Sequence, residues 1–107
     1  MITLVLIRHA KSDWGDPSVP DHDRPLNPRG RRDAPEAAAR FARSGVPVDR
    51  ILSSTALRAR ATAHEFAEAL GLEVEPDAEL YASSASTLLG AAAATGAAAV
   101  MLIAHDP

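Results

Sequence analysis

The apolar positions of this chain fall into short continuous runs separated by longer stretches of helical period. The first run, Ile2–Arg8 (ITLVLIR), is β-branched and almost unbroken, the pattern of a strand buried on both faces. Residues 10–26 are polar and carry Gly15, Pro17, Pro20, Pro25 and four aspartates, so they read as a long loop. Loops of that length are uncommon in compact domains and are often functional. A helix then follows, with Asn27 as N-cap, Pro28 at the first helical position and Gly45 beyond its end. Ala34, Ala37, Ala38 and Phe41 repeat at i, i+3, i+4 and i+7 and form its core stripe. Pro35 lies inside that stretch and predicts either a shifted start or a bend.

The second apolar run, Arg50–Ser54 (RILSS), predicts another short strand. Thr55 is placed to cap the helix after it, in which Ala59, Ala63, Phe66, Ala67 and Leu70 make a stripe that ends before Gly71. A brief strand fits Glu73–Glu75, and a third helix, weakened by Gly90, fits the alanine-rich stretch that follows Ser83. The last apolar run, Ala98–Ala104, predicts a buried strand that delivers His105. Strands alternating with helices define an α/β domain with a mostly parallel central sheet between helical layers, a three-layer α/β/α arrangement.

Composition changes the picture in three ways. At 107 residues the chain is one domain's worth, and its 47% apolar content is mostly alanine, with only 4% aromatic residues, so burial per residue is modest. Parallel sheets need cover on both faces, and two or three helices barely supply it, so the fold is expected to continue beyond Pro107. With a net charge of −3, no global attraction to nucleic acid or to an anionic membrane is expected. No cysteine is present, which removes disulfides, thiolate nucleophiles and thiolate metal sites. The N-terminus has no signal-peptide pattern and no apolar run approaches the ~20 residues of a membrane span, so a cytoplasmic location is expected.

In open α/β sheets ligands bind outside the carboxyl ends of the strands. Three predicted strands end there in polar residues: Arg8 and His9, then Ser53 and Ser54 followed by Arg58, and finally His105. If those strands are parallel neighbours, two arginines and two histidines converge. Guanidinium pairs beside a helix N-terminus suit phosphate or carboxylate. A histidine among such cations is disfavoured as imidazolium, which leaves it neutral and nucleophilic.

Four segments, in order along the chain, resemble the histidine phosphatase superfamily. Leu6–Trp14 (LIRHAKSDW) is similar to its Arg-His-Gly signature, with Ala10 at the glycine as in the SixA-type branch. Asp21–Gly30 (DHDRPLNPRG) is similar to that branch's Arg-Pro-Leu-Thr-x-x-Gly segment. Ser53–Ala63 (SSTALRARATA) resembles the Ser-x-x-x-Arg-Ala-x-x-Thr motif, although Thr55 and Ala61 replace the usual proline and glutamine. Ile103–Pro107 (IAHDP) resembles Gly-His-Asn-Pro.

The resemblance implies a phosphoglycerate mutase-like fold in a single domain over residues 1–107 that lacks the family's usual C-terminal part. It implies His9 as the nucleophile, Arg8 and Arg58 as holders of the phosphoryl oxygens, and His105 as the second phosphate-pocket histidine. Arg24 matches an additional pocket arginine of the SixA branch, and Ser12 and Lys11 fall at the rim. No metal or other cofactor is implied. The expected ligands are a phosphate ion and a phosphohistidine-bearing protein, such as a phosphotransfer domain, with no nucleic acid and no membrane.

One departure narrows the substrate. Many members carry a general acid in a Leu-x-Glu context, whereas this chain has Leu80-Tyr81-Ala82, and Glu79 would face the other side of a strand-like segment. An alcohol leaving group needs a proton, while imidazole, with a conjugate acid near ~6.5, does not. The spacers are also short, so a lid over the site is not expected. The first expectation is therefore a SixA-type phosphohistidine phosphatase working through a covalent phosphohistidine intermediate. The alternatives are a small-molecule phosphomonoesterase of the same superfamily, with Glu79 or a loop aspartate as acid, and a non-catalytic phosphate-binding or scaffold domain. His22 and His64 read as bystanders. Arg29, Arg31 and Arg32 form a basic run at a helix start, against its dipole. The default reading there is a solvated face, the alternative a docking patch for an acidic protein substrate.

Overall fold

A computed structural model describes residues 3–8, 20, 25–81 and 84–104. In chain order they form β1 (Thr3–Arg8), α1 (Pro28–Arg43), β2 (Arg50–Ser53), α2 (Leu57–Leu70), β3 (Val74–Pro76), a 3₁₀ turn (Ala78–Leu80), α3 (Ala85–Ala94) and β4 (Ala99–Ala104). The four strands make one parallel sheet in the order β1-β4-β2-β3. The first two crossovers carry the chain from β1 past β4 to β2 and on to β3; the third brings it back to β4. With right-handed crossovers throughout, that reversal puts α1 and α2 on one face of the sheet and α3 on the other. The expected α/β class, with its parallel sheet between helical layers, is the architecture observed.

Strand β4 is central, and all six of its residues are buried. Its alternation divides the core. Met101 and Ile103 join Ile51 of β2 under Ala38 of α1 and Ala59, Ala63, Phe66 and Ala67 of α2. Val100 and Leu102 join Leu52 under Ala92 of α3 and Leu80 of the 3₁₀ turn. On the first face the alanines let two helices approach the sheet closely, and Phe41 and Phe66 fill the gap edge to face at 6.0 Å between ring centroids.

The local signals behave as chemistry requires. Asn27 Oδ1 accepts the Gly30 N–H at 2.8 Å and Pro28 starts α1. Gly71 closes α2 at φ 70°, a conformation that favours glycine. Several expectations need correction. β1 is not covered on both faces: it lies at the end of the sheet order, and Leu6 is 58% exposed. A continuous apolar run marks the capacity for burial, not the presence of a cover. Ala37 is exposed, and the buried stripe of α1 runs through Gly30, Ala34 and Ala38. Pro35 does not move the start of α1, which stays continuous to Arg43. It sits on the exposed face, where water can replace the one amide donor it removes. Thr55 is not the cap of α2: Ala56 holds that position with no side-chain bond, and Ser54 Oγ accepts the Ala56 N–H at 3.2 Å. The third strand begins at Val74, and Glu79 sits in the 3₁₀ turn instead of on a strand.

Candidate active site

The site starts from the register of the sheet. Arg8 ends β1 opposite Ala104, which ends β4, and Ser53 ends β2 opposite Ile103. The strands that lead into His9 and His105 are therefore hydrogen-bonded neighbours, and the strand that leads into α2 lies on the other side of β4. The parallel adjacency that the sequence reading required for convergence holds at the backbone level.

Beyond β2 the chain turns within three residues into α2. The Ser54 N–H donates to the Ile103 carbonyl at 2.9 Å, which carries β2–β4 pairing one residue past the strand. Ser53 Oγ donates to the Ser54 carbonyl at 2.8 Å, and both serines are wholly buried. This tight, internally bonded turn sets Arg58 in the first turn of α2, at the carboxyl edge of the sheet. Arg58 has no exposed surface. A guanidinium is costly to take from water unless its donors are met, so an arginine buried here is a built feature. The Arg58 carbonyl accepts the buried Thr62 hydroxyl at 2.9 Å, which braces the first turn from one turn further on. The sequence reading gave Thr62 no role of its own; its signal was a threonine four residues after the key arginine.

The two helices on this face end in the same way. The six residues between α1 and β2 bring the C-terminus of α1 to the amino edge of the sheet. Its 16 residues, about 24 Å of helix, return its N-terminus to the carboxyl edge. Neither α1 nor α2 has an acidic residue in its first turn. Their N-terminal dipoles and the Arg58 charge thus act together at one edge, the arrangement that holds a phosphate.

Of the sequence-predicted site residues, the structure places Arg58 in full and the backbone of Arg8. His9, Lys11, Ser12, Arg24 and His105 lie outside the described residues, as does Ala82. Glu79 is exposed, and with Asp77 it lines a groove of about 550 Å³ beside α3. That groove is on the opposite face of the sheet from α2. His64 is exposed on α2, 3.5 Å from Glu68. Among the described residues no group of three His, Asp or Glu side chains is placed to hold a metal ion. Nor is any helix among them long and apolar enough to cross a membrane.

A parallel α/β sheet with a buried arginine at its carboxyl edge, beside strands that run into two histidines, has the groups with which a phosphate could be held. The chain belongs to the histidine phosphatase superfamily (branch 1), whose profile matches residues 4–98. It is similar to a solved protein from Agrobacterium tumefaciens assigned as the phosphohistidine phosphatase SixA. The identity is 36% and the TM-score 0.89, covering 100% of this chain and 71% of that one. It is also similar to the protein histidine phosphatase SixA solved with tungstate, at 27% identity and a TM-score of 0.81, covering 97% and 69%. An uncharacterized protein of Mycobacterium tuberculosis is 38% identical over 105 residues, 94% of this chain. The chain spans 63% of that relative's length.

Proposed function

We propose that this chain carries the active site of a phosphohistidine phosphatase that works through a phosphorylated His9. The observation that supports this most is the wholly buried Arg58 at the edge where β1 and β4 run into His9 and His105. The likeness to SixA structures, one of them holding the phosphate mimic tungstate, points the same way.

In this reading neutral His9 attacks phosphorus in line with the leaving imidazole. The new P–N bond to His9 forms as the substrate's P–N bond breaks, and Arg8 and Arg58 hold the equatorial oxygens where the transition state spreads its charge. Water then attacks the phosphoenzyme, its P–O bond forms, the bond to His9 breaks, and phosphate leaves. His105 completes the pocket, Arg24 adds a further guanidinium, and Ser12 and Lys11 line the rim. No metal takes part in this scheme. The substrate is a phosphohistidine presented on another protein, and a cytoplasmic setting belongs with that substrate.

Glu79 bears on the alternative. A small-molecule phosphomonoesterase needs an acid for its alkoxide leaving group, but Glu79 lines the groove on the α3 side, across the sheet from α2. This argues against Glu79 as that acid; the loop aspartates lie outside the described residues.

The test is covalent trapping. Rapid quenching with labelled phosphohistidine peptide is expected to leave acid-labile label on the protein, and His9→Ala is expected to abolish both label and turnover. Efficient hydrolysis of sugar phosphates with none of phosphohistidine would replace this reading with the phosphomonoesterase. Phosphate binding without labelling would replace it with a non-catalytic domain.

A further inference from the structure

Arginines gather around the candidate site beyond those that phosphate chemistry requires. Arg29, Arg31 and Arg32 lie in the first turns of α1, and Arg60 lies beside Arg58 in the first turn of α2. The two helices run side by side in the same direction. Arg31 and Ala34 of α1 share a groove of about 380 Å³ with Ala61, His64 and Glu65 of α2 and with Leu26. Arg31 is therefore level with Ala61, and Arg60 is exposed one position before Ala61 on α2.

The pairing of these charges is uneven. Arg29 lies 3.5 Å from Asp33, and Arg31 donates to the Leu26 carbonyl at 2.8 Å. Arg32 and Arg60 are exposed, and neither has an ion pair among the described residues. Arg60 sits in the first turn of α2, where the dipole opposes a positive charge, and Arg32 begins the second turn of α1. A solvated face chosen for solubility would carry acids there. Elsewhere Arg40 pairs with Glu36 and Arg50 with Glu75, while Arg43 in the last turn of α1 is exposed with no ion pair among the described residues. The net charge of −3 makes this basic rim a local feature and not an expression of overall composition.

We propose that the α1–α2 rim, centred on Arg32 and Arg60 with Arg31, is a docking surface for carboxylates that flank the phosphohistidine on the partner protein. This rests on the phosphohistidine reading above and adds what recognises the protein around the phosphate. Arginine forks pair bidentately with carboxylates, and exposed charges of this kind act mainly on encounter rate and are screened by salt.

The experiment uses synthetic peptides of one length that carry phosphohistidine flanked by glutamates, by serines or by lysines, together with free phosphohistidine. They are assayed with the full-length protein and with R32E/R60E. For the wild type, kcat/KM should fall from glutamate through serine to lysine flanks, with about a tenfold span at low salt that shrinks at high salt. R32E/R60E should lose or invert that order while hydrolysing free phosphohistidine at an unchanged rate. R43E, the same charge change at the far end of α1, should keep the wild-type order. Flank-independent hydrolysis by the wild type would overturn the docking surface and leave the chemistry standing. So would an equal loss on free phosphohistidine in R32E/R60E, because the arginines would then serve the phosphate pocket itself. Inhibition by an RNA oligonucleotide stronger than by polyglutamate would assign the rim to nucleic acid instead. Failure to hydrolyse any phosphohistidine would overturn the underlying reading together with this one.

Discussion

The two ends of the sheet use their charged and polar residues differently. At the amino end the groups satisfy one another. Asp49 donates its N–H to the Ala99 carbonyl at 2.8 Å and accepts the Ala99 N–H on Oδ2 at 3.0 Å, so one residue closes both backbone groups where β4 begins. Arg50 forms a bidentate pair with Glu75 across β2 and β3 and also donates to the Thr95 carbonyl at 3.1 Å. Among the described residues at the carboxyl end, Arg29, Arg31, Arg32, Arg58 and Arg60 stand near the starts of α1 and α2, and Arg58 is buried. The first arrangement ties strands together; the second gathers arginines beside two helix N-termini. Asp77 and Glu79 also stand at the carboxyl end, but beside α3.

The largest effect that separates the ends is expected at Arg58. Arg58→Ala should lower kcat/KM on a phosphohistidine peptide by about a thousandfold or more, the range in which a guanidinium acts on a transferring phosphoryl group. Arg58→Lys should recover little of this, because an ammonium keeps the charge but loses the planar fork. The matching change at the other end, Arg50→Ala, should alter the rate by less than about twofold. Thermal melts with and without phosphate check that binding, and not folding, has failed: phosphate should raise the midpoint of the wild type and of Arg50→Ala, and leave that of Arg58→Ala unmoved. Equal losses from Arg50→Ala and Arg58→Ala would break the distinction between the ends.

Sequence reading recovers much of this division, and the reasons differ from one region to the next. The order of elements follows from periodicity and caps, and the motif around Arg58 was legible through its resemblance to a family segment, one of four found in order. The Asn27–Pro28 start of α1 was legible because two residues with unlike physical roles agreed on it. The bareness of β1 was not legible, since Leu6 looks the same in sequence whether or not something covers it. Thr55 misled because threonine is a good cap in general, while here Ser54 takes the Ala56 N–H from within the turn. The ties at the amino end were hidden for another reason. Asp49 meets Ala99 fifty positions away and Arg50 meets Glu75 twenty-five away, and such pairs exist only once the strand order is known.

Asp49 gives the intermediate effect. Asp49→Ala should lower stability by about 1–2 kcal/mol, because the N–H of the buried Ala99 loses its acceptor while the backbone bond from residue 49 can persist. Urea unfolding checks this, and the rate on phosphohistidine under folding conditions should match the wild type. An activity loss larger than the fraction unfolded would mean that the amino end reaches the site through β4, and the two ends would no longer be separable.

The smallest effect belongs to the Arg50–Glu75 pair. The Arg50 guanidinium, by hydrogen bond and then by charge, holds the Glu75 carboxyl below its ordinary range, and Glu75 in turn raises Arg50. A carboxyl whose folded value is depressed contributes stability that is fully present above the unfolded value, about 4.3, and is lost as pH falls through the folded value. The raised Arg50 works in the opposite sense, losing its contribution only at alkaline pH above the range of ordinary assays. Glu75→Gln should therefore flatten the acid limb of the stability profile slightly and leave neutral pH almost unchanged. Both side chains are 41% exposed, and solvent screens most of their attraction. Urea midpoints from pH 3 to pH 7 for the wild type and Glu75→Gln measure this directly. The two curves should converge at the acid end and separate narrowly above about pH 5. A wide separation at neutral pH would show that the pair anchors the short β3 strand far more strongly than an exposed ion pair can, and would make the amino end a stabilising centre in its own right.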